Sequence, residues 1–149
     1  MLTVKKIAIA SDHAGFFLKE KIQEYLRNEK IEVKDFGTFT GDSVDYPDYA
    51  HPLANAVADG DFELGISICA TGNGINMTIN KHQGIRGALC WNEEMSRLAR
   101  AHNNANICAI PGRYVSESEA ILIVKTFLST SFDEGRHRKR IDKIPIKKY

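Results

Sequence analysis

Hydrophobic residues along the chain follow two rhythms. Residues 4–10, 31–36, 62–69, 85–90 and 105–110 carry short apolar runs without helical spacing, the second of them alternating, and these are predicted strands. Between them apolar positions recur every three or four residues. Ala14, Phe17, Leu18, Ile22, Tyr25 and Leu26 line one face of a first predicted helix, with Lys19, Glu20, Lys21 and Glu24 between them. A second helix is expected over 48–58, capped by Asp48, with Pro52 within or just past its first turn. A short one follows residues 70–74 and runs to about residue 81, and another spans 93–102 with Met95, Leu98 and Ala99 inward. Ser116 and Glu119 form a capping box for a helix whose inner face is Ala120, Ile123, Val124 and Phe127.

Strict alternation of strands and helices predicts a three-layer α/β/α, Rossmann-like architecture: a five-stranded parallel sheet with right-handed crossovers, in a single domain over 1–149. In such a sheet the site lies beyond the carboxyl ends of the strands. Residues 37–47 form a polar loop long enough to suggest a role in that site. The tail, residues 131–149, is expected to be helical and to dock on its own or a neighbouring subunit through Ile141, Ile144, Ile146 and Tyr149.

Composition narrows the function classes. A chain of 149 residues is most simply one domain, and a net charge of +1 supplies no general attraction for nucleic acid or an anionic membrane. The apolar segment near the N-terminus ends at Asp12, too short for a signal peptide, and no run approaches a membrane span. Three cysteines without framework spacing suggest reduced thiols and a cytoplasmic location. Cys90 and Cys108 fall in or at the ends of apolar runs, as packing residues do. The five histidines lack metal-binding spacing, so no metal is expected.

The chemistry concentrates at residues 69–74, Cys-Ala-Thr-Gly-Asn-Gly. With so little side-chain bulk, several backbone N–H groups are free to point at one anion. Cys69, at the foot of a helix start, reads either as a base or nucleophile whose thiolate is favoured there, or as a small hydrophobe closing a buried strand. The P-loop pattern fails because no Lys-Ser or Lys-Thr follows Gly74. The dinucleotide fingerprint has Met77 where its third glycine belongs, and a cysteine phosphatase would have arginine where Ile75 stands.

Fold placement adds Asp12, His13 and Arg113 to the same edge, with Asp12 equally readable as a helix cap. His102 and Asn103 end the helix before the last strand, at the opposite edge of their own sheet, so a partner subunit would have to bring them to the site. His102 also suits a helix C-terminus for electrostatic reasons alone. Arg136 and Arg140 lie four apart, a spacing that suits a grip on one phosphate. The basic stretch around them lacks the interleaved aromatic residues of a nucleic-acid platform.

Six stretches in order, SDHAGF, DYPDYA, CATGNGINM, NKHQGIRGALC, ARAHNNAN and GRHRKR, make the chain resemble the type B ribose-5-phosphate isomerases, in the family that also contains galactose-6-phosphate isomerase. The resemblance runs nearly end to end. It implies an aldose-ketose isomerase, interconverting ribose 5-phosphate and ribulose 5-phosphate through an enediolate, with no metal and no cofactor. Cys69 is then the base that moves a proton between C1 and C2. Thr71 and the backbone of Ala70, Thr71, Gly72, Asn73 and Gly74 hold the enediolate oxygens. His102 with Asp12 opens the sugar ring, His13, Arg113, Arg136 and Arg140 bind phosphate, and Tyr46 and Asn103 line the sugar pocket.

The family works as a dimer or tetramer with shared sites. Because the chain holds both Cys69 and His102, a homo-oligomer is expected. Ala70 stands where many members have glycine, so a left-handed backbone there would be strained. Rival readings are an isomerase for allose 6-phosphate or another six-carbon sugar phosphate, and a non-catalytic sugar-phosphate-binding module. A redox-sensing Cys69 lacks a nearby resolving cysteine in the sequence.

Overall fold

The computed structural model describes residues 2–147. Strands β1 (Lys6–Ser11), β2 (Glu32–Asp35), β3 (Gly65–Cys69), β4 (Gly87–Leu89) and β5 (Ile107–Pro111) form one sheet in the order β2-β1-β3-β5-β4, every pair parallel. β3 and β5 are buried along their whole length, which suits their apolar sequences, interrupted only by the small Ser67 of β3. β4 at one edge is only half-buried, and its first residue is paired by the side chain of Asn80, which donates to Gly87 O (3.0 Å) and accepts from Gly87 N (2.9 Å).

Helices α1 (Phe16–Asn28), α2 (Tyr46–Ala58), α3 (Asn73–Ile79), α4 (Glu93–Asn103), α5 (Glu117–Ser129) and α6 (Arg136–Ile141) complete the fold. Strand alternation divides the core in two. Ile7, Ile9, Ile66, Ile68, Cys108 and Ile110 pack with residues of α1, α4 and α5. Ala8, Ala10, Cys69, Ile107 and Ala109 pack on the other face with Leu53 and Val57 of α2 and Ile75 and Ile79 of α3. The chain leaves β1 for β2 on one side and crosses to β3 on the other, so a crevice opens between the carboxyl ends of β1 and β3.

Several local expectations shift. The N-cap of α2 is Asp45, and Asp48 lies in the first turn with Pro47. Proline is well placed there, since its missing N–H has no intrahelical acceptor in any case. Pro52 lies inside the helix, at an exposed position. α1 starts later than its pattern suggests, after a 3-10 turn at His13–Gly15. Phe17, read as inward, is 74% exposed, whereas Lys19, read as a solvent residue, is fully buried. Its ammonium meets both carboxylate oxygens of Asp35 (2.6 and 2.7 Å) and the Thr38 carbonyl, with the Phe16 and Phe39 rings nearby.

The Ser116–Glu119 capping box forms as expected. The tail docks on its own subunit: Asp133 N–H donates to Ala101 O (2.9 Å), and Ile141 is buried. Ile144 and Ile146 are exposed instead, on a cleft shared with residues 80–86, and Tyr149 lies outside the described residues.

Candidate active site

Three strand ends build one half of the site. After β1, Asp12 is buried; its Oδ1 accepts the Gly15 N–H (3.1 Å) and its own N–H donates to Ile68 O of β3 (3.2 Å). Capping therefore fixes the carboxylate at the crevice. His13 follows, with Nδ1 3.1 Å from the donating Val44 N–H, which ties the 36–45 loop over this edge and leaves Nε2 as the ring's free nitrogen.

After β3 comes the small-residue turn. Gly72 has φ +75° and caps α3, and a Cβ there would collide with Leu89 Cδ1 and press on Pro111 N, so glycine is required. Ala70 is not among the non-glycine residues with positive φ, which are Lys30, Asn104 and Glu134, so the strain expected at Ala70 does not arise. Asn73 N–H is taken by Thr71 Oγ1 (3.2 Å) and Asn76 N–H by Gly72 O (3.1 Å). Among the described residues the amides of Thr71, Gly72 and Gly74 make no hydrogen bond, as a donor-rich turn requires.

Cys69 sits at the foot of this turn, 4% exposed, whereas Cys90 and Cys108 have no exposure at all. Burial, with the neighbouring Cys90, pushes the Cys108 thiol well above its usual range, so that pair belongs to the core. The Tyr46 ring lies against Gly74, where an added Cβ would fall 2.5 Å from it. After β5, Gly112 N–H donates to Cys69 O (2.8 Å) and Arg113 N–H to Ala70 O (3.1 Å), so Arg113 rides on the turn itself. Asp12, His13, Tyr46, residues 69–74 and Arg113 thus share the carboxyl edge.

The remaining candidates gather at the other edge. His102 and Asn103 end α4, Arg136 and Arg140 lie exposed on α6, and the loop into β5 begins beside them. The His102 ring stacks on His137 (centroids 4.2 Å apart, 12° between planes), and its Nε2 lies 3.9 Å from Asp133 Oδ2. Loss of hydration, then the charges of His102, Arg136 and Arg140, hold the His137 pKa below its ordinary value against the pull of Asp133. Asn103 O accepts from Arg86 Nε (3.1 Å). Asp133 and His137 were not singled out from the sequence; nothing in their spacing signals a meeting with a residue more than thirty positions earlier. Ligand atoms of His102, Asp133 and His137 all lie within 4.8 Å of one another.

One sheet thus carries two groups of candidate residues on opposite edges, one with a thiol and an amide cradle and the other with an imidazole and arginines. The profile of the Ribose/Galactose Isomerase family matches residues 7–144. The chain belongs to the ribose/galactose isomerase family.

Among solved relatives, a ribose 5-phosphate isomerase from Thermotoga maritima is 52% identical with a TM-score of 0.93, covering 95% of this chain and 97% of its own. Ribose-5-phosphate isomerase B from Mycoplasma genitalium with bound ribulose-5-phosphate is 44% identical with a TM-score of 0.91, covering 97% of this chain and 95% of its own. Ribose-5-phosphate isomerase B of Escherichia coli is 41% identical over 141 residues, 95% of either chain. Membership of the ribose/galactose isomerase family spans every candidate residue from Asp12 to Arg140. No helix among the described residues is long and apolar enough to cross a membrane.

Proposed function

We propose that this chain is a metal-independent isomerase of ribose 5-phosphate and ribulose 5-phosphate, acting in the cytoplasm as a homodimer or homotetramer without a cofactor. The observation that carries the reading is the placement of Cys69 at the foot of a turn in which the Thr71, Gly72 and Gly74 amides make no hydrogen bond among the described residues, walled by Asp12, His13, Tyr46 and Arg113. Similarity to a relative with ribulose-5-phosphate bound supports the choice of sugar.

The sugar enters as a closed ring. His102 of one protomer, working across the site from Asp12 of the other, moves the proton that opens it. The Cys69 thiolate then takes the C2 hydrogen of the aldose as a proton, and the electron pair left behind spreads into an enediolate. The amides of Thr71, Gly72 and Gly74, with the Thr71 hydroxyl, meet the negative oxygens as charge develops. A proton passes from O2 to O1, and the thiol returns the abstracted proton to C1 as the C2–O bond becomes a carbonyl, which gives the ketose and restores the thiolate. His13 and Arg113 from one side and Arg136 and Arg140 from the other grip the phosphate, and Asn103 joins Tyr46 along the sugar. In this reading residues 1–149 form one sugar-phosphate isomerase domain, and the 131–149 tail carries arginines to the shared site.

Cys69→Ala is expected to abolish isomerisation while leaving sugar-phosphate binding nearly intact, and His102→Asn to slow turnover most for substrates that start as rings. Turnover by Cys69→Ala equal to that of the wild type would remove the thiol from the mechanism. Comparing kcat/KM for ribose 5-phosphate and allose 6-phosphate separates the five-carbon reading from the six-carbon one. An assay in excess chelator that shows no turnover of either would favour a binding module.

A further inference from the structure

The amino-edge half holds an arrangement that isomerisation does not call for. His102 comes from α4, His137 from α6 and Asp133 from the connection between α5 and α6, yet their donor atoms converge within 4.8 Å. The His102 Nε2 to Asp133 distance, 3.9 Å, is too long for a hydrogen bond, and neither imidazole hydrogen-bonds through its ring among the described residues. Both lone-pair systems therefore remain available. Within one chain the His102 and Asp133 side chains are 39% and 57% exposed, so no core packing has to open to admit an ion.

Two imidazoles and one carboxylate match the preference of borderline-soft divalent ions such as Zn2+ and Co2+, and do not match Mg2+ or Ca2+, which favour oxygen-only shells. We propose that His102, Asp133 and His137 form a binding site for a divalent transition-metal ion of the zinc class, and that the ion, once bound, withdraws His102 from proton transfer. Tetrahedral bonds of about 2.0–2.1 Å place neighbouring donors roughly 3.3 Å apart. The three atoms must close in, and the two rings, now 12° from parallel, must splay so that both nitrogens aim at one point. Both rings lie near helix ends, where such rotations cost little packing. Arg136, Arg140 and Arg97 oppose a cation here and Glu94 favours it, so an exchangeable ion is expected, not a structural one.

The binding half of this proposal stands on geometry alone, and the inhibitory half rests on the ring-opening role given to His102. Co2+ serves as the probe, titrated into the intact Cys69→Ala oligomer so that the Cys69 thiol does not compete. One Co2+ per protomer with visible absorption bands is expected, lost in His137→Ala and weakened about tenfold or more in Asp133→Asn. Separately, Zn2+ should inhibit the isomerase of the otherwise native protein, reversibly with EDTA and competitively with sugar phosphate, while His137→Ala keeps its metal-free activity and resists inhibition. Absence of the bands, or titrations unchanged by both substitutions, overturns the site. Binding that the substitutions abolish, without any Zn2+ effect on turnover through that site, keeps the metal site and removes His102 from ring opening.

Discussion

Lys19 carries a charge into the interior that no hydrophobic pattern calls for, and its surroundings explain how the fold tolerates it. Asp35 neutralises it, Thr38 O accepts from it, and Asp35 is itself held by Gln23 Nε2 (2.9 Å) and Gly37 N–H (2.8 Å). Removing one partner of such a pair strands the other. Lys19→Met is expected to lose about 3–5 kcal/mol of stability, and Asp35→Asn in the same background to recover part of it, both read from urea midpoints. Equal midpoints for Lys19→Met and wild type would show that the pair contributes nothing. At the turn, Gly72→Ala meets both a left-handed backbone and a blocked Cβ position. It is expected to cost about 1–2 kcal/mol from backbone conformation alone, more from the collision, and to lower kcat by displacing the amide cradle. Unchanged kinetics in Gly72→Ala would detach that cradle from catalysis.

At the level of elements, α2 and the segment after α3 are joined by a pair of imidazoles, His51 Nδ1 lying 2.7 Å from His82 Nε2. One ring must donate and the other accept, so the contact holds only while at least one is neutral. Partial burial, and then the charge of His51, push the His82 pKa below its ordinary 6.5. The unfolded chain therefore binds a proton that the folded chain resists. Stability from this contact is complete above about pH 6.5 and falls as pH drops through and below that value. Thermal unfolding across ~pH 5–8 should show this loss, and His82→Gln should flatten it. An identical pH slope in the variant would place the acid sensitivity elsewhere.

For the whole molecule the decisive matter is that Cys69 and His102 lie at opposite edges of one sheet, so the proposed chemistry requires two chains. Mixing Cys69→Ala with His102→Asn tests this directly. If sites are shared in a dimer and subunits exchange freely, half the dimers are mixed and one site in each has both residues, so about a quarter of all sites recover. If each protomer were self-sufficient, no activity would return on mixing. Recovery that rises with the time allowed for exchange would tie it to assembly.

Much of this was legible along the chain, and for identifiable reasons. Apolar rhythm, the Ser116–Glu119 capping box and the inner face of α5 are local, set within a few residues, and so is the small-residue turn after Cys69. The α2 cap was misplaced because Asp45 and Asp48 are both acceptable caps in isolation, and Pro47 decides between them. Lys19 reads as a solvent residue because its burial depends on Asp35 and Thr38, which a distant strand and loop deliver.

Sequence by itself determined the class of fold and the family, because each is written in short-range spacing, and it named the groups on which the proposed chemistry rests. Tertiary structure alone decided the strand order β2-β1-β3-β5-β4, the relaxed backbone at Ala70, and the meeting of His102 with Asp133 and His137. Those depend on which distant segments gain most by burying surface and pairing charge together, and that balance exists only once the chain has closed on itself.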